Sequence, residues 1–166
     1  PFADGTVPWC NAGRYIKEGA RPGLSPLHHT PLYYIQEASA MLPAKLVNAQ
    51  PGEKILDMCA APGGKSTAIG AALKGEGLLI SNDISTSRAK ALLRNLEGFG
   101  IINSIVVSEY PEKLSRYFPE FFDKVLIDAP CSGEGMFHKE PSMTESWLRM
   151  GPEEYHKLQM EILTYG

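Results

Sequence analysis

Three short apolar runs, each closing on an aspartate, constrain this chain more than any other feature. "KILDM" carries Asp57, "LLISND" ends at Asp83 and "KVLID" ends at Asp128. Short apolar runs bounded by Gly, Pro and Asn read as buried strands. The segments that follow the first two have helical spacing. "KSTAIGAALK" aligns Ile69, Ala72 and Leu73, and "STSRAKALLRNLEGFG" aligns Ala89, Leu92, Leu93 and Leu96 before Gly98 and Gly100 stop it. "NSIVVS" adds a strand and "KLSRYF" a helical turn. Strands alternating with helices predict an α/β chain with a mostly parallel sheet. Such sheets bind ligands at the carboxyl ends of their strands, so Asp57, Asp83 and Asp128 mark one rim.

The flanks read differently. Residues 1–31 are dense in Pro and Gly and predict loops with one short strand near Arg14 to Lys17. "LYYIQEASAMLPAKL" predicts a helix that Pro43 breaks or kinks. Ser142 and Glu145 have capping-box spacing, and a last helix is predicted from near Pro152, with Tyr155, Leu158 and Ile162 on one face. The chain opens on Pro1 and stops inside that helical pattern, so it reads as a fragment whose sheet is truncated on the C-terminal side.

Charge and cysteines narrow the classes. A net charge of -3 gives no global basic field, although a local basic groove on an acidic protein still accommodates nucleic acid. Cys10, Cys59 and Cys131 are scattered and odd in number, which argues against zinc and fits the reducing cytoplasm. No metal site is expected, and no apolar run approaches the roughly 18 residues of a membrane span.

The glycine turn "DMCAAPGGKST" admits several readings. Gly64, Lys65 and Ser66 match the end of a triphosphate-binding loop, but Cys59 stands where that loop requires its first glycine. The dinucleotide pattern G-x-G-x-x-G is absent. A nucleoside without phosphates fits better. Asp83 follows Gly64 by 19 residues, close to the roughly 20 that place a ribose-binding acid at the end of the second strand. Backbone N–H groups at the helix start can hold a carboxylate. S-adenosylmethionine combines such a ribose diol with an amino-acid tail. The bland reading is a tight turn with Lys65 solvated.

"DMCAAPGGKST" together with "DAPCSGEGMF" resembles the NOL/NOP/Sun family of RNA 5-methylcytosine methyltransferases, its bacterial ribosomal-RNA members above all; "PWC" and "YYIQEASAML" share the likeness. The resemblance implies a Rossmann-like S-adenosylmethionine-dependent methyltransferase fold, with residues 32–166 forming part of that domain and 1–31 a loop-rich segment before it. It implies an RNA partner, rRNA in the first place and tRNA in the second. By position, Cys59, Ala60, Ala61, Pro62, Gly63, Gly64 and Lys65 would form the cofactor loop, Asp83 would hold the ribose, and Asp128 would stand beside both the reactive end of the cofactor and the target base. Glu109 stands near where relatives carry an adenine-side acid.

Carbon 5 of cytosine is a poor nucleophile, and addition of a thiolate to carbon 6 activates it. The resemblance casts Cys131 as a helper in product release. It places the attacking cysteine in a Thr-Cys motif on a later strand, and these 166 residues do not contain that motif. The chain alone is therefore expected to be inactive. The alternatives are a noncatalytic cofactor- or RNA-binding module, a P-loop-like NTPase, and a DNA methyltransferase that attacks through Cys131. Trp9, Arg14, Tyr15, Lys17, Arg21, His28 and His29 offer RNA stacking and phosphate contacts, and read equally well as a solvated loop with some core aromatics.

Overall fold

The computed structural model describes residues 2–137 and 142–166. The chain begins with an antiparallel hairpin, β1 (Ala3–Val7) and β2 (Cys10–Ile16). A parallel sheet follows, made of β3 (Lys54–Asp57), β4 (Leu78–Asn82), β5 (Ser104–Val107) and β6 (Lys124–Leu126) in the order β5-β4-β3-β6. The helices are α1 (Pro26–His29), α2 (Met41–Val47), α3 (Gly64–Leu73), α4 (Thr86–Gly98), α5 (Pro111–Tyr117) and α6 (Ser142–Leu163).

Alternation along the two central strands builds a core on each face. Ile55 and Leu79 pack with Ile69 and Leu73 of α3 and with Leu92 and Leu96 of α4. Leu56, Met58 and Ile80 pack on the other face with Leu114 of α5 and Ile162 of α6. Each fully buried Leu or Ile contributes about 1.5–3 kcal/mol. Leu93 departs from the expected stripe and is exposed, because Ala89, Leu92 and Leu96 already fill the inward face.

Three other expectations are corrected. The N-terminal segment is a hairpin and not mainly loops. Its strands are polar and Gly-containing, with little beyond Val7 and Gly13 buried, so alternation gave no signal. Gly13 lets it dock on α2, since a Cβ there would lie 2.8 Å from the Met41 sulfur. The helix expected from Leu32 forms only from Met41, and residues 33–37 run without regular structure. Pro43 lies in the first turn of α2, where a missing N–H costs no intrahelical bond. Finally, α6 begins at Ser142 and is interrupted at Gly151 (φ 67°, ψ 170°) before Pro152, so the helix predicted near Pro152 is its second half. The capping box rests on the Ser142 side chain, which lies outside the described residues.

Candidate functional site

All three strand-end acids stand at the carboxyl rim of the sheet, in three different environments. Asp57 is fully buried at the end of β3. Its Oδ2 accepts a 2.6 Å hydrogen bond from Ser66 Oγ, which in turn accepts one from Ser81 Oγ at 3.0 Å. Its Oδ1 has no partner among the described residues. Burial pushes the Asp57 carboxyl up to about 6, against the Ser66 hydrogen bond and the Lys65 charge.

The loop after β3 is fastened by its backbone. The Met58 N–H donates to the Leu126 carbonyl at 2.9 Å, and the Ala60 N–H donates to the Asn82 carbonyl at 2.7 Å. Gly63 has φ 115°, and a Cβ there would meet a Leu92 methyl at 2.9 Å. At Gly64 a Cβ would lie 2.7 Å from Gln36 Oε1 and 2.8 Å from the Tyr34 ring. Gly64 therefore lets residues 34–36 cross directly over the start of α3, and Gly63 lets α4 pack close behind the loop. Burial raises the Tyr34 hydroxyl above its ordinary value, with the Gly64 backbone opposing that shift. Cys59 is half-buried, and its thiol is pushed up to about 11 by burial and then by the carboxylates of Asp57, Asp83 and Asp128.

Asp83 follows β4 and is buried. Its Oδ1 accepts the Ser85 N–H at 2.9 Å, and its Oδ2 lies 3.3 Å from an Arg88 guanidinium nitrogen. The same Arg88 nitrogen donates to the Ala61 carbonyl at 2.8 Å. Asn82, just before it, ties the rim together: its amide donates to the Met58 and Glu109 carbonyls, and its Oδ1 accepts the Glu109 N–H. The Glu109 carboxylate is paired with Lys113.

Asp128 lies just beyond β6 and is half-exposed. Its Oδ2 is 2.7 Å from Lys65 Nζ. Cys131 is exposed three residues on. Glu134 accepts hydrogen bonds from Ser132 Oγ and Trp147 Nε1, which hold its carboxyl below the usual range. Gln159 of α6 donates to the Pro130 carbonyl.

Cys59, Ala60, Ala61, Pro62, Gly64, Lys65 and Asp128 thus meet around one cleft of about 190 Å3, closed on its other side by Tyr34, Ile35, Gln36 and Ala40. Gly63 lies behind it, and Asp83 and Cys131 are not among the residues that line it. The sequence reading missed Tyr34 and Gln36, which sat inside an expected helix. It also missed Asn82 and Arg88. Their one sequence signal is closeness to Asp83 at a strand end.

A parallel sheet with helices on both faces, a glycine turn at its rim and acids at its strand ends define the class of Rossmann-like methyltransferases. Two solved structures share this architecture. PH0851 is 28% identical with a TM-score of 0.79, covering 90% of this chain and 34% of its own. A methyltransferase homolog protein from Pyrococcus horikoshii is 32% identical with a TM-score of 0.72, covering 92% and 50%. Residues 44–166 match the family model of 16S rRNA methyltransferase RsmB/F, and residues 1–38 match the N-terminal domain of 16S rRNA methyltransferase RsmF. The chain belongs to the RsmB/F family of S-adenosylmethionine-dependent rRNA methyltransferases. Ribosomal RNA small subunit methyltransferase F of Pectobacterium atrosepticum is 41% identical over 164 residues, and that of Vibrio campbellii 38% over 162. Each match covers 95% of this chain and 34% of the relative, so the chain spans about a third of the length of the curated relatives it matches.

Proposed function

We propose that this chain forms the cofactor-holding part of an enzyme that methylates carbon 5 of a cytosine in RNA, rRNA in the first place. The observation that carries the reading is the 2.7 Å contact of Lys65 with Asp128, which joins the two motif loops at one cleft. S-adenosylmethionine bound there would supply a methyl group on a sulfonium.

The residues fit that cofactor. A cleft of about 190 Å3 suits its amino-acid end. Backbone N–H groups at the start of α3 suit a carboxylate. Asp83 would hold the ribose by exchanging its Arg88 contact for two hydroxyls.

Asp128 is open enough to accept a hydrogen bond from the amino group of cytosine, and Lys65 orients its carboxylate. The base must leave its stack to arrive there. Cys59 is unsuited to attack, because a thiol pushed up to about 11 is almost wholly protonated at neutral pH. Cys10 lies on the N-terminal hairpin, off the rim. Cys131, exposed beside Asp128, suits the product-release step. The attacking thiol then comes from outside these 166 residues.

Calorimetry tests the cofactor claim. S-adenosylmethionine should bind, ATP–magnesium should not, and Asp83→Ala should abolish the binding. Incubation of the 166-residue chain with RNA and labelled cofactor should give no transfer. Tight ATP binding without S-adenosylmethionine binding, or robust transfer by this chain alone, refutes the reading.

A further inference from the structure

Beside the cofactor cleft lies a larger cavity of about 490 Å3, on the side of α4. That volume falls within the roughly 300–1,000 Å3 of small-ligand clefts. Tyr34 and Ile35 line both cavities, so the two are neighbours across one stretch of chain. We propose that the larger cavity seats an unstacked RNA base flanking the target cytosine. The proposal rests on the RNA-methylation reading above and adds a second contact point for the strand.

The lining has the chemistry of single-stranded RNA recognition. His28, His29, Tyr33, Tyr34 and Phe99 supply aromatic faces, and Arg94 supplies a cation at the wall. Bases stack on such faces whatever their sequence, and a guanidinium takes either the phosphate or a π-face. No carboxylate is among the described lining residues, so nothing there repels a phosphate.

The walls are fixed in advance. The Tyr33 hydroxyl donates to the Pro22 carbonyl at 2.8 Å, and the Tyr33 ring stacks on His28 with 24° between planes and 5.8 Å between centroids. Tyr34 leans on Phe99 with centroids 6.0 Å apart. The Asn95 amide is committed to the Pro62 carbonyl of the cofactor loop at 2.7 Å. One polar atom is left over: His28 Nδ1 is buried and has no partner among the described residues. Buried polar atoms without partners are uncommon, and this one belongs to the wall and not to the surface a ligand would touch.

The test uses the intact protein and a single-stranded RNA bearing the target cytosine, with binding read by fluorescence anisotropy across a salt series. His29→Ala should weaken RNA binding about tenfold, and His29→Phe should restore it. Arg94→Gln should reduce the slope of log affinity against log salt by about 1. S-adenosylmethionine affinity, measured by calorimetry, should stay at the wild-type value in all three variants. An RNA with one flanking base removed should lose the same factor on the wild type and nothing further on His29→Ala. Wild-type RNA affinity and salt slope in both His29→Ala and Arg94→Gln overturn the proposal. So does a His29→Ala loss that no abasic position reproduces, because a protein segment or a packing role then explains the cavity. Failure of the wild-type protein to bind either RNA or S-adenosylmethionine sinks the function reading itself.

Discussion

The loop over residues 57–65 and the loop over 128–137 leave adjacent parallel strands at the same rim, yet they are fastened by different means. The first is sealed. Asp57, Ala60, Ala61 and Gly63 are buried, and backbone hydrogen bonds run from Met58 and Ala60 to the neighbouring strands. The second is open. Asp128, Cys131, Glu134 and Gly135 are exposed, and side chains hold it: Glu134 to Trp147, and Gln159 to the Pro130 carbonyl. The difference fits the proposed function, in which the first loop would grip the cofactor by a backbone organised in advance and the second would leave its reactive groups accessible to an incoming base. The contact of Lys65 with Asp128 is where the two designs touch.

That contrast can be tested by damaging each loop in turn. The largest effect is expected from Asp128→Ala in the intact protein. Methyl transfer should fall about a thousandfold while S-adenosylmethionine affinity changes only a few-fold. An equal loss in both would place Asp128 in binding and erase the division of labour.

Asp57 should give the next largest effect. Its folded carboxyl sits at about 6 against an ordinary 3.8, so the folded state holds the proton more tightly. Its contribution to stability is fullest below about pH 4 and is lost as pH rises through 6, by up to about 3 kcal/mol. Asp57→Asn carries no such titration. Denaturant unfolding should show its stability relative to wild type improving by up to that amount between pH 4 and 7. A flat difference across that range would remove the buried charge from the account of the sealed loop.

The smallest effects come from a pair of glycines. Gly63→Ala forces a Cβ against Leu92 at a left-handed backbone and should cost about 2 kcal/mol. Gly135→Ala meets nothing within 4 Å and should stay within about 0.5 kcal/mol. Thermal melts of the two variants compare the loops directly, and equal shifts would mean that the open loop is as tightly packed as the sealed one.

The sheet was legible because each strand is an apolar run with a stop. "KILD", "LLISN", "SIVV" and "KVL" fall within the expected strands, and the glycine turn leads into α3 as its spacing predicted. The hairpin was not legible, because its polar strands are held by cross-strand pairing and by one glycine against α2. Local pattern also misled over 32–40, where helical spacing yielded to the packing of Tyr34 and Gln36 on Gly64. Motif residues of the candidate site could be named in advance, but their partners could not. Lys65 and Asp128 are 63 positions apart, and no local spacing announces a contact between them. Arg88 had no motif to single it out, yet it spans Asp83 and the Ala61 carbonyl.

Asn82 has a consequence for motion. Its amide and carbonyl oxygen bridge Met58 on one side and Glu109 on the other, continuing the ladder one rung past the last backbone pairs of the sheet. The roots of the loops after β3 and β5 are thereby clamped to β4. Local opening at those two roots is tied to fraying of the sheet itself, on the slow timescale of core exchange and not the fast one of surface loops.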